Sequence, residues 1–197
     1  MDSIYKKLFE QFKDQETLKL RTEQSLLWFK NIIDKNLKKS NIKVQIESFL
    51  KNKKDPIMKG DIITFNYSAK HQATLPYYDK FPLVLVLKGV ENGFLGLNFH
   101  YLPHKLRLIF LTRLYQYQKA IIKNQKIVIN ITYEDLVGKD KFIYYKPCLK
   151  MYKKSHIKKF IYRLTPDEWD MAIFLPTEKF TNVSTKDVWG DSSKKIK

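Results

Sequence analysis

The chain has four histidines, one cysteine and a tyrosine-rich loop whose chemistry could go beyond packing. His100 and His104 stand four apart, a spacing at which two imidazoles on one helix face can hold zinc. Pro103 lies between them, so they do not share a helix face, and no acidic cluster accompanies them. A packed, hydrogen-bonded His100 is expected, and no metal. Cys148 sits among lysines, which favour the thiolate. As a lone cysteine it can form no intramolecular disulfide, and it reads as a buried structural thiol. Gly93-x-x-Gly96 belongs to a hairpin and not to a phosphate-binding loop. No nucleophile elbow and no paired carboxylates stand out, so no cofactor and no catalytic residue is assigned. The groups that could activate a nucleophile are His71 and Asp79 in an exposed loop, with His100 behind it.

The larger signal is electrostatic. Net charge is +17 and the isoelectric point is near 9.7. A balance that basic favours nucleic acid, an anionic surface or an acidic protein partner. Lysine far outnumbers arginine, which suits attraction to phosphate better than bidentate reading of bases. Residues 141–160 hold seven lysines and no acid, with Tyr144, Tyr145 and Tyr152 between them. A helix from Lys146 to His156 places Lys146, Lys150, Lys153 and Lys154 largely on one side, and Lys158 and Lys159 extend the run. Arg107 and Arg113 are expected to face outward from a helix that begins at Pro103. In the loop Leu75–Pro82, Tyr77 and Tyr78 beside Lys80 make a platform suited to stacking on bases. The packing alternative is that these aromatics seal the open end of a barrel. Together these residues are the expected nucleic-acid surface.

The elements that must position them centre on Gly60–Pro103. Ile62–Tyr67 and Phe94–Tyr101 alternate in the manner of strands, and Pro82–Leu87 is a short apolar run. Asn92-Gly93 is a strong hairpin turn. A strand, a long polar-aromatic loop and then a tight hairpin is how small SH3-like barrels begin. The expected fold is α+β: an SH3-like β-barrel core with an N-terminal helical arm and added C-terminal helices. The expected division is a helical arm over 1–59, the barrel core with helical additions over 60–176, and an extended tail over 177–197. In the arm, Asp2 or Ser3 caps a short helix. Thr22 caps a longer one over 22–39 with Leu26, Phe29, Ile33 and Leu37 in one stripe, widened by Leu27 and Trp28. That helix packs on the barrel or docks on a partner. Residues 127–131 form a short strand or buried connection, Thr132 caps a helical turn that Gly138 ends, and Phe160–Leu164 is a strand. Thr165-Pro166-Asp167-Glu168 reads as a helix start, and Pro176 ends that helix. Trp189 anchors the tail, whose last residues are expected to be mobile. No run of about 18 apolar residues is present, and the N-terminus lacks a secretory apolar region, so a reduced intracellular protein without a membrane span is expected.

Two resemblances add to this reading. Gly60-Asp61-Ile62-Ile63, the long loop and Phe81–Leu87 resemble the opening of the barrel in toxin endoribonucleases, which implies cleavage of single-stranded RNA. The proline that usually follows an arginine in that family's second strand follows Phe81 here, and the likeness covers two strands. The second covers roughly residues 20–190. It rests on Trp28-Phe29, Leu75–Leu83, Gly93–Pro103, Cys148-Leu149-Lys150 with His156-Ile157, and Asp167-Glu168-Trp169 leading to Phe174-Leu175-Pro176. On these residues the chain resembles the DNA end protector, or head-completion, proteins of large contractile-tailed bacteriophages. The resemblance implies a non-catalytic virion protein, present in host cytoplasm during assembly. Its implied partners are double-stranded DNA ends and phage head, portal or neck proteins. It would bind the genome's ends at the portal and shield them from host exonuclease. The alternatives are a structural neck or baseplate subunit and, from the first resemblance, a nuclease.

Overall fold

A computed structural model describes residues 15–37, 57–117, 122–123, 126–127, 129–137 and 142–196. The expectations for Asp2, Ser3 and Gly138 lie outside them. The fold is α+β. Strands β1 (Ile62–Tyr67), β2 (Leu83–Val90), β3 (Gly93–Asn98), β6 (Leu149–Lys153) and β7 (Ile157–Leu164) form one antiparallel sheet in the order β6-β3-β2-β1-β7. Strands β4 (Ile122–Lys123) and β5 (Lys126–Ile127) form a separate two-stranded ladder. The helices are α1 (Gln15–Leu37), α2 (His104–Tyr117), α3 (Tyr133–Val137), α4 (Tyr145–Cys148), α5 (Trp169–Ile173) and α6 (Thr185–Ile196).

Strand β2 is apolar throughout its first half because it is covered on both sides. Leu83, Leu85 and Leu87 join Ile62 and Leu97 on the face that carries α2 and α5, while Val84 and Val86 join Ile63, Phe65 and Phe94 on the other. Register irregularities between Phe65 and Tyr67 and between Val86 and Lys88 bend the sheet into an open half-barrel. Its concave side is aromatic. Phe65, Tyr67, Phe94 and Tyr152 meet with ring centroids 5.0–5.9 Å apart. The β2–β3 hairpin turns through Glu91-Asn92, with Asn92 at φ 58°, as the Asn-Gly pair implies. Strand β3 stops at Asn98 instead of running to Tyr101. The Asn98 side chain accepts from His100 N at 3.0 Å and starts a 3-10 turn over Phe99–Tyr101, so strand alternation does not govern His100 and Tyr101.

The run from Lys146 to His156 is not a helix. It is the four-residue α4, the edge strand β6 and a 3-10 turn at Lys154–His156. Period-two alternation wins here because β3 offers a free edge, and Gly93 and Gly96 let neighbouring backbone come close: a Cβ on Gly93 would collide with Tyr152 O. The tail also differs. It is extended only to Ser184 and then forms α6, which buries Val188 and Ser192 four apart. The start at Thr165 is as expected: a capping box joins Thr165 and Glu168, with Pro166 in the first turn. Thr132 caps α3 in the same way, with Asp135 N donating to its Oγ1 at 3.1 Å. Thr22, in contrast, lies inside α1 and donates to Leu18 O at 2.9 Å. The covered side of α1 is Leu18, Ser25 and Trp28, with Ser25 Oγ donating to Met171 O of α5 at 2.6 Å. Leu26 and Leu27 are exposed, and the side chains of Ile33 and Leu37 fall outside the described residues.

Candidate nucleic-acid interface

The loop between β1 and β2 is fixed at its base by Asp79. This carboxylate is buried and takes four hydrogen bonds. Oδ1 accepts from Phe81 N at 3.0 Å and Lys179 N at 3.2 Å. Oδ2 accepts from Asn98 Nδ2 at 3.1 Å and His100 Nδ1 at 2.7 Å. An ionised carboxylate only accepts, so the proton of that last bond sits on the imidazole. Burial alone would raise the Asp79 pKa, but the His100 charge and hydrogen bond, with Asn98 and the Phe81 N–H, outweigh it and hold the carboxyl below its usual range. Asp79 was expected to be exposed. It is instead the knot that joins loop, sheet and tail: Asp79 bridges to Phe180, and Lys80 N donates to Lys179 O at 2.9 Å. His100 is packed and hydrogen-bonded, as expected. Its Nε2 is buried with no partner among the described residues, out of reach of a substrate.

Arg107 is a correction. It was expected to face outward and is fully buried. Its Nε donates to Leu102 O at 2.6 Å, Nη1 to Ile173 O at 3.3 Å, and Nη2 pairs with Glu178 at 3.1 Å. It closes the C-terminal end of α5 and has no surface to offer a phosphate. Above it, Trp189 Nε1 donates to His100 O at 3.0 Å, which is the anchoring expected of that residue. Arg113 is half-buried and stacks over Tyr144 at 5.0 Å.

The aromatic loop itself splits. Tyr78 is buried, with its N donating to Thr181 Oγ1 at 3.1 Å and its ring edge against Tyr67, so its ring is packed inside the protein. Tyr77 is half-buried. It rests on Phe180 and Tyr101, and its hydroxyl donates to Asp191 at 3.4 Å. Between this loop, the edge of β6 and α6 lies a cleft of about 590 Å³. Lys70, Lys150, Lys153 and Lys195 line it together with Tyr67, Tyr77, Tyr101 and Tyr152. Lys150 Nζ stands 4.0 Å from the Tyr101 ring centroid and donates to Pro147 O at 2.7 Å. Burial, with Lys195 nearby, pulls its pKa down to about 8. Lys146, Lys154 and Lys158 are exposed outside the cleft, Lys80 is half-buried beside it, and the side chain of Lys159 falls outside the described residues.

A family model described as phage T4 terminal DNA protecting protein matches residues 2–192. The chain belongs to this family. No curated protein and no solved structure matches it. Exposed Lys154 and Lys158 lie at the connection between β6 and β7, apart from the cleft. Among its described residues no group of three or more His, Cys, Asp or Glu side chains could hold a metal ion, and no helix is long and apolar enough to cross a membrane. Cys148 is buried. Burial pushes its thiol up to about 12, against the smaller opposite pull of Lys150 and Arg107, so the lysines beside it in sequence do not activate it. Sequence reading missed Lys70, Lys195 and Tyr101 as cleft residues. Only the overall excess of lysine and tyrosine hinted at them, because their meeting depends on the C-terminal helix.

Proposed function

We propose that the protein is a non-catalytic virion component that binds the double-stranded ends of the phage genome at the head portal and shields them from host exonuclease. The family match over residues 2–192 carries this reading. The uneven charge supports it: Lys146, Lys154 and Lys158 are exposed in a stretch that holds no acid. In the same reading the half-barrel is the SH3-like core. The protein acts from the assembled virion, beside head, portal or neck proteins, after assembly in host cytoplasm. A catalytic role finds little support. Nucleic-acid hydrolysis needs a group to activate a nucleophile, and Asp79 and His100 are spent on each other inside the protein. His71 is left exposed in the loop with no bond from its ring to a described carboxylate.

The test uses an end-labelled duplex and a labelled single-stranded RNA, each incubated with protein alone and then with exonuclease. Protected duplex ends and no cleavage by the protein are expected. Cleavage by protein alone that His71→Ala abolishes would overturn the reading in favour of a nuclease. Neither protection nor cleavage would favour a structural neck or baseplate subunit. Replacing Lys154 and Lys158 together by Gln should weaken duplex binding and make its log–log salt dependence shallower by about 1.8. An unchanged slope would remove these two lysines from the interface.

A further inference from the structure

The cleft differs in kind from the lysines outside it. Its volume of about 590 Å³ falls within the roughly 300–1,000 Å³ of small-ligand pockets. It is too small to admit a duplex. Buried Tyr67, Tyr78, Tyr152 and Asp79 are among its lining, so packed core side chains wall part of it.

Its two walls carry complementary chemistry. On one, Lys150 and Lys195 bring two ammonium groups together. Lys195 disfavours the charge on Lys150, and among the described residues neither has a carboxylate within ion-pair distance. Lys150 spends one proton on Pro147 O and has two left to donate. On the other, Tyr77 presents a half-exposed ring held in place by Phe180, Tyr101 and the bond to Asp191. The acids nearby do not fill the gap. Asp79 has both oxygens occupied by four donors, and Asp191 is taken by Tyr77 and by Lys194 at 3.3 Å. Two cations without a counter-ion facing a fixed aromatic ring are what a nucleotide with a phosphate group completes. A terminal phosphomonoester, carrying about −1.5 to −2 charges, suits a pair of lysines better than an internal diester does.

We propose that this cleft takes the phosphorylated terminal nucleotide of a DNA strand, with its phosphate between Lys150 and Lys195 and its base against Tyr77. The inference rests on the DNA-end reading and adds what part of the end is grasped. A frayed last base pair supplies the free nucleotide, and the lysines at the β6–β7 connection remain for the backbone behind it.

Calorimetric titration of the full chain with a thymidine dinucleotide, either 5′-phosphorylated, 3′-phosphorylated or unphosphorylated, tests this directly. One phosphorylated form should bind at least about tenfold tighter than the unphosphorylated one, the discrimination expected of one charge-assisted contact. Which form it is tells which strand end is held. Lys150→Gln and Lys195→Gln should each abolish the preference, and Tyr77→Leu should weaken all forms. Lys195 is exposed on α6, so its variant tests the site even if Lys150→Gln fails to fold. Equal affinity for all three dinucleotides, no binding, or an unchanged preference in Lys195→Gln would overturn the proposal. Equal binding of a short polyglutamate peptide would also overturn it, since the site would then read charge alone. Duplex protection measured on the same proteins separates the two readings. Protection by a protein that ignores the dinucleotides loses the cleft and keeps the DNA-end role. Dinucleotide binding without protection loses that role.

Discussion

Asp79→Ala should be the most damaging single change in the loop, most of which is exposed before Tyr77. The substitution leaves four donors without their acceptor. Phe81 N and Lys179 N lie near the surface and can recruit water. Asn98 Nδ2 and His100 Nδ1 belong to fully buried residues and cannot. Stranding two buried donors costs about 1–3 kcal/mol each, more for a charged one. The two together cost about 2–6 kcal/mol, which for a chain of this size lowers the melting temperature by roughly 4–24 °C. The pH dependence follows from the depressed Asp79 pKa. Its contribution is complete above the unfolded value near 3.9 and is lost as pH falls through the lower folded value. Wild type should therefore lose stability below about pH 4, and Asp79→Ala should lose less over the same interval. Thermal unfolding followed by circular dichroism from pH 3 to 7 measures both. A melting temperature within about 2 °C of wild type at pH 7, less than 1 kcal/mol on this scale, would refute the argument.

Gly96→Ala should fold poorly or melt well below wild type, because its Cβ would meet the Val84 side chain and lie 2.8 Å from Leu85 O in the centre of the sheet. Overpacking of this kind costs about 1–3 kcal/mol or more, and an unchanged melt would show that the strands can part there. Native Cys148 should resist a thiol reagent at pH 8 and react only on unfolding, since burial pushes its pKa up to about 12. Rapid labelling of folded protein would contradict its burial. Dinucleotide affinity should fall as pH rises through 8, where Lys150 loses its charge, and Lys150→Arg should flatten that profile. A flat profile in wild type would take Lys150 out of the site.

Features written in a few adjacent residues could be read from the chain alone. The Asn92-Gly93 turn, the Thr165–Glu168 capping box and the three strands of the central block depend on local sterics and on hydrogen bonds within four residues. Errors came where a distant partner decided. Arg107 sits at a position of α2 that charge alone assigns to solvent. It turns inward because the carbonyls of Ile173 and Leu175 and the Glu178 carboxylate wait there. The lysine run hid a period-two pattern, since Lys150 and Tyr152 are same-face neighbours on a strand and near-opposites on a helix. Helix α6 escaped because Gly190 and two serines lower its propensity, while burial of Val188 and Ser192 restores it. The candidate cleft was half legible for the same reason: its aromatic wall is local to one loop, and its second cation arrives from α6.

The sheet order has a bearing on when this protein becomes itself. Strand β1 is synthesised early, yet one of its two neighbours is β7, with Ile62 opposite Leu164 about a hundred residues later. The Asp79 knot waits longer still, for Lys179, and Trp189 then covers His100. During translation the β2–β3 hairpin can form at once, but one side of β1 stays unpaired and the aromatic concavity stays uncovered. The sheet closes only when the ribosome has passed Leu164, and the cleft gains its rim only after Lys195. A nascent chain therefore carries the lysines of β6 before α6 brings Lys195 to the candidate cleft.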